Sequence, residues 1–168
     1  MSKQTKTVIA IDGPSASGKS TVARAVADAL QYYYVDTGAM YRTVAWKCLE
    51  QKVDTNDSRA VEKCLGALTL EVGFANGRSR ILVDGFDPAD QIRNENVTAI
   101  VSRVSAIPKV RERLVGEQRM LSKQADLVME GRDIGTVVFP KTPYKFFIDA
   151  NPEVRAQRRA AELNACKD

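Results

Sequence analysis

The chain has 168 residues, 44% of them hydrophobic and 27% charged, with 25 Lys and Arg against 21 Asp and Glu for a formal charge of +4. That describes one globular domain with a substantial core and room for at most a small insert; no apolar run reaches membrane-spanning length. With no histidine, and with Cys48, Cys64 and Cys166 widely and irregularly spaced, a Cys/His zinc site and a histidine-based catalytic triad are excluded.

The polar start Met1-Ser2-Lys3-Gln4-Thr5-Lys6 carries no leader pattern, so the expected setting is the cytoplasm, with the cysteines as reduced, buried or half-buried thiols. Residues 7–11 read as a buried parallel strand. Gly13-Pro14-Ser15-Ala16-Ser17-Gly18-Lys19-Ser20 follows, the spacing G-x-x-x-x-G-K-S, and a helix is predicted over 21–31 with Val22, Val26, Ala29 and Leu30 as its apolar stripe. A second short strand covers 32–35, Asp36-Thr37-Gly38 reads as a turn at its end, and a helix runs over 39–52 with Val44, Cys48 and Leu49 inward. After a polar loop, 59–65 is a shorter helix.

The texture changes at Leu68. Residues 68–72 alternate apolar and polar, 80–84 read as the partner strand, and Asn76-Gly77 is a hairpin turn signal. A small antiparallel insert at about 67–95 is therefore expected inside an α/β pattern. Helices are predicted over 96–106 and 109–123, with Pro108 at the start of the second. Asp126 to Glu130 is a strand ending at Gly131-Arg132-Asp133, 145–148 is another strand, and Asn151-Pro152 opens an arginine-rich helix.

The glycine-rich stretch lies between a strand and a helix, the context of a P-loop. Gly13, Pro14, Ser15, Ala16, Ser17, Gly18, Lys19, Ser20 and Thr21 would cradle ATP phosphates with backbone amides and the helix N-terminus. Lys19 would reach the β- and γ-phosphates, and the Ser20 hydroxyl would ligate Mg²⁺. The plain alternative is a Gly/Ser-rich turn with a surface lysine. In such a fold, ligands gather at the C-terminal ends of parallel strands, where Asp36 to Arg42 and Glu130 to Asp133 also fall. Arg42, Arg132 and Arg111 there suggest a second anion site, against the ordinary reading of solvated helix-face arginines. Two phosphate sites without a histidine base fit phosphoryl transfer, which is mostly positioning and charge neutralisation.

At this point the chain resembles the bacterial cytidylate kinase family. The matching segments are Ile11 to Ser20, Asp36-Thr37-Gly38-Ala39-Met40-Tyr41-Arg42, Ile107-Pro108-Lys109-Val110-Arg111 and Gly131-Arg132-Asp133-Ile134-Gly135-Thr136-Val137-Val138-Phe139-Pro140. The resemblance implies a three-layer P-loop fold with a parallel central sheet: a single kinase domain 1–168, core 1–66 and 96–150, a CMP-binding insert at about 67–95, and the start of an incomplete lid at 151–168. It implies transfer of the ATP γ-phosphoryl group to CMP or dCMP with Mg²⁺. By position, Thr37, Tyr41 and Arg42 line the monophosphate site, Arg42 and Arg132 hold the CMP phosphate, and Ser102, Arg111 and Asp133 read or flank the cytosine. Lys19, Arg42 and Arg132 form the catalytic set, and Arg155, Arg158 and Arg159 are candidates for the lid. The family continues beyond this point, so the chain is expected to be part of a longer protein, its four parallel strands lacking a neighbour at one edge.

Two rival readings stand beside it. One is another small-molecule P-loop kinase, such as a shikimate-like enzyme, which the segments 36–42 and 131–140 oppose. The other is a nucleotide-dependent RNA-binding module, which the scattered basic residues, without a Lys/Arg run or interleaved aromatics, oppose. The expected partners are ATP and CMP or dCMP, with no nucleic acid and no membrane, and the expected state is a monomer.

Overall fold

The computed structural model describes residues 6–165, with side chains through residue 161. The expectations for Cys166 and the final residues 166–168 lie outside the described residues. The chain forms β1 (Val8–Asp12), α1 (Lys19–Leu30), β2 (Tyr33–Asp36), α2 (Thr37–Glu50), α3 (Ser58–Ala67), β3 (Leu70–Ala75), β4 (Arg78–Val83), α4 (Glu95–Ser105), α5 (Pro108–Leu121), β5 (Leu127–Gly131), β6 (Tyr144–Phe147) and α6 (Pro152–Ala165). The strand order is β3-β4-β2-β5-β1-β6. β1 pairs in parallel with β5 and β6, and β2 with β5. This is the α/β parallel sheet of a P-loop kinase fold, as the sequence predicts.

The chain divides into two compact units. The first holds the chain up to Thr37, the hairpin tip Phe74–Ser79, and the chain from Gln118 on. All five residues of β1 and all five of β5 are buried, as befits parallel strands covered on both faces. α1 packs on this sheet through Ala23 and Ala27, against Ile9, Ile11, Tyr34 and Val128. The expected stripe is off by about one residue: Val22 and Leu30 are exposed, and only Val26 of the four predicted residues joins the core. The helix starts at Lys19 and meets the sheet with small alanines, which let the two backbones approach closely.

The second unit comprises Gly38–Gly73 and Arg80–Glu117. Its core gathers Met40, Val44 and Cys48 from α2, Val61, Cys64 and Leu65 from α3, Ile81 and Val83 from β4, and Val104, Val110 and Leu114 from α4 and α5. Asp57 caps α3 by accepting from the Arg59 amide, and Asn94 caps α4 by accepting from the Val97 amide at 2.9 Å. The hairpin forms as expected around Asn76 and Gly77, whose φ values of 51° and 74° are those a two-residue turn demands. Residues of α2 to α5 share the core of this unit.

One local expectation is corrected. Asp36-Thr37-Gly38 is not a turn: β2 runs to Asp36 and α2 begins at Thr37 without a connection. The Thr37 hydroxyl donates to the Glu130 carbonyl at 2.7 Å, which ties the start of the helix to the neighbouring strand. Between β5 and β6, where the sequence reading assigns no element, Ile134–Val138 forms a five-residue π-type helical turn.

Candidate active site

The sheet register assembles the site. Asp12 sits beside Gly131, and Asp36 beside Glu130, so the C-terminal ends of β1, β2 and β5 finish at one level. The loop 13–18 leaves β1 there and enters α1. Gly13 approaches the end of β6 so closely that a Cβ would lie 2.1 Å from the Ile148 carbonyl oxygen. Gly18 takes a left-handed conformation, φ 94°, and no side chain caps α1. The first-turn amides of α1 are thereby left to an anion. The Ser17 hydroxyl is buried in the loop with no hydrogen-bond partner among the described residues, an arrangement that suits a phosphate oxygen.

Three cations converge on carbonyl oxygens of this loop. Lys19 Nζ donates to Pro14 at 3.1 Å, Arg158 donates to Ala16 at 3.3 Å, and Arg132 donates to Gly13. Arg158 lies across a cleft of about 690 Å³ from Ala16 to Val22. Among the lid candidates it is the one whose described contact is with the loop. Arg155 instead donates to the Ala150 carbonyl and faces Asp149 at 3.9 Å, and Arg159 is half-buried on α6.

Behind the loop stands Glu130, 2% exposed. It accepts from the Ser20 hydroxyl at 2.8 Å and from the Tyr34 hydroxyl. Burial first, then the carboxylates of Asp36 and Glu130, push the Tyr34 phenol well above its ordinary range, so it stays a protonated donor. Arg24 lies over the Tyr34 ring, 5.2 Å from its centre. Ser20 and Glu130 offer adjacent hard oxygen donors, and no cluster of three or more His, Cys, Asp or Glu that could cage a metal occurs among the described residues. That set fits Mg²⁺, which is held by few protein oxygens together with substrate phosphates.

Of the expected acceptor-site residues, Thr37, Arg132 and Asp133 belong to this first unit. Thr37 and Gly131 are packed so tightly that a Cβ on Gly131 would lie 2.6 Å from the Thr37 hydroxyl. Asp133 is half-buried, and its carbonyl accepts from the amides of Val137 and Val138. Tyr41, Arg42, Ser102 and Arg111 belong to the second unit. Tyr41 packs against its core from α2, Arg42 is half-buried beside it, Ser102 is exposed on α4, and Arg111 lies half-buried in the first turn of α5. Sequence reasoning did not single out Glu130 as the partner of Ser20, nor Asp12, which is 8% exposed and accepts from the Ile134 and Gly135 amides at 2.8 Å each. The one available signal was their place at the ends of buried strands.

A parallel sheet whose first strand feeds a loop with an uncapped helix start, a lysine–serine pair at its end and converging cations defines a P-loop nucleotide-binding protein of the kinase type. Residues 9–168 match the family model described as cytidylate kinase. A cytidylate kinase of Symbiobacterium thermophilum is 46% identical over 159 residues, 94% of this chain and 70% of that protein. One of Solibacter usitatus is 43% identical over 166 residues, 99% of this chain and 70% of that protein. A bifunctional pantoate ligase/cytidylate kinase of a Synechococcus strain is 46% identical over 94% of this chain, which covers 32% of that longer protein. The chain belongs to the cytidylate kinase family. No helix among the described residues is long and apolar enough to cross a membrane.

Proposed function

We propose that this protein transfers the γ-phosphoryl group of ATP to the phosphate of CMP or dCMP. The observation that carries the reading is the convergence of Lys19, Arg132 and Arg158 on the carbonyls of one phosphate-binding loop, in a chain of this family. An oxygen of the CMP phosphate attacks the γ-phosphorus, the bond from that phosphorus to the β,γ-bridging oxygen breaks, and ADP leaves with the electron pair. The chain's task is to hold both nucleotides in line and to oppose the charge on the transferring group.

Backbone amides of 13–18 and of the α1 start bind the ATP phosphates, and Lys19 exchanges the Pro14 carbonyl for β- and γ-phosphate oxygens. Ser20, held by Glu130, is the residue that would ligate Mg²⁺, which when bound with ATP neutralises charge on the β- and γ-phosphates. Arg132 and Arg42 bind the CMP phosphate, with Thr37 and Tyr41 lining its site. Ser102, Arg111 and Asp133 read the cytosine edge, whose amino donor and ring acceptors call for a carboxylate together with cationic and hydroxyl donors. Arg158 is the lid arginine assigned to ATP.

The test is a coupled ATP-consumption assay with CMP, dCMP, UMP, AMP and GMP in parallel. CMP and dCMP should be the preferred acceptors, and Lys19→Ala should lower turnover by about 10²- to 10³-fold, the usual loss when one preorganised charge-stabilising donor is removed. A preference for AMP or GMP, or near-normal turnover in Lys19→Ala, would overturn the assignment.

A further inference from the structure

The turn Ile134–Val138 is held by a charge at each end. The buried Asp12 carboxylate accepts from the amides of Ile134 and Gly135, one oxygen to each, at 2.8 Å. At the other end the Arg119 guanidinium donates to the carbonyls of Val138 and Val137 at 3.0 and 2.9 Å. The turn departs directly from Arg132 and Asp133, and Asp133 is its cap residue. We infer that Asp12 is a positioning residue for the acceptor nucleotide: its carboxylate fixes the bend that presents Arg132 and Asp133. This rests on the proposed role of those two residues in binding CMP.

The position is suggestive because Asp12 also begins the P-loop, yet its backbone is fixed independently of its side chain. Asp12 is paired with Gly131 on one side and Phe147 on the other, and its carbonyl accepts from the Ile148 amide at 2.8 Å. Removing the carboxylate therefore falls first on the 131–138 bend and reaches the ATP-binding loop only through the Arg132 bond to the Gly13 carbonyl, while the β1 end of that loop stays pinned by its backbone bonds. Two buried amides would lose charge-assisted partners, and an amide side chain in the same place has one acceptor oxygen where the carboxylate offers one to each amide. A carboxylate at the level of both nucleotides thus serves the acceptor, through the bend, more than the donor to which it is nearest in sequence.

The experiment compares Asp12→Asn with wild type for steady-state constants toward both substrates and for amide hydrogen exchange. kcat/KM for CMP should fall at least about tenfold, in line with the cost of misplacing substrate-binding groups, while KM for ATP moves by no more than about threefold. Exchange should accelerate at Ile134 and Gly135 and stay unchanged in β1. Equal damage to both substrates, or damage confined to ATP, would overturn the inference, as would wild-type exchange at the two amides. If Asp12→Asn does not fold, Arg119→Ala loosens the exposed end of the same turn and should give a smaller loss in the same direction; no CMP-specific loss there counts against the inference. Wild-type protein inactive on CMP would sink the functional reading, and the exchange data would still decide whether Asp12 holds the bend.

Discussion

Gly13→Ala is the sharpest perturbation of the phosphate loop. The added Cβ would lie 2.1 Å from the Ile148 carbonyl oxygen and 3.1 Å from both the Ile148 carbonyl carbon and the Ser17 hydroxyl. Ordinary contact starts near 3.4 Å, so more than about 1 Å must be recovered. The obstacle is backbone, and it is pinned: the Ile148 amide donates to the Asp12 carbonyl at 2.8 Å at the end of the β1–β6 pairing. Either that pairing opens or the loop moves. Overpacking of this kind costs about 1–3 kcal/mol, and a domain of this size loses about 2–4 °C of Tm per kcal/mol. A loop displaced by about 1 Å should lower kcat/KM by about 10²-fold. Gly116→Ala is the control. It lies exposed in α5 with nothing within 4 Å of an added Cβ, so it should gain about 0.5–1 kcal/mol from reduced backbone freedom and leave activity unchanged. Thermal melts and the CMP assay on both variants check this. Gly13→Ala with wild-type Tm and wild-type kcat/KM would refute the reasoning.

The other expectations concern substrate contacts and thiols. Arg42→Ala and Arg132→Ala should weaken all monophosphates alike, whereas Asp133→Ala and Arg111→Ala should narrow the preference for CMP over UMP and AMP, because an unpaired polar group in the site penalises the wrong base; a changed base preference in Arg42→Ala with intact affinity would reverse the assignment. Burial, and then the neighbouring Cys64, push the Cys48 thiol up to about 12, and burial raises Cys64 as well. Both should resist iodoacetamide at pH 8 in the native protein and react in urea, as read by peptide mass spectrometry. A thiol whose folded pKa is raised lends stability that is present below its unfolded value of about 9 and is lost as pH climbs from there towards 12, so rapid native labelling of Cys48 would contradict its burial.

What the sequence made legible is what short spacing encodes. Gly13 to Ser20 declares a loop because each residue's partner is a few positions away, and Asn76-Gly77 declares a hairpin for the same reason. The apolar runs of β1 and β5 declare burial without needing a partner to be known. Asp12 carried no such signal, since the amides that define its role lie 122 and 123 positions along the chain. The same holds for Glu130, joined to Ser20 across 110 positions and to Tyr34 across 96. Ile134–Val138 reads Ile-Gly-Thr-Val-Val and has neither a two-residue nor a 3.6-residue alternation, so nothing local disclosed a helical turn closed by charges from β1 and α5. The Arg158 bond to the Ala16 carbonyl, across 142 positions, likewise left no local signal in the sequence.

The pairing of charges in the first unit explains how a site without histidine can be built from ordinary residues. The two buried carboxylates take their described hydrogen bonds from uncharged donors: Glu130 from two hydroxyls, Asp12 from two amides. The three cations make their described bonds to carbonyls of the phosphate loop itself, at Gly13, Pro14 and Ala16. In these described bonds the acids meet neutral donors, and each cation meets a neutral acceptor of the loop. When a polyphosphate takes those acceptors' place, each exchange replaces a bond to a neutral carbonyl by one between two charges, roughly twice as strong. The loop thus stores its lysine and arginines close to where they act, and the gain on exchange is largest where negative charge is densest, at the γ-phosphoryl group in transit.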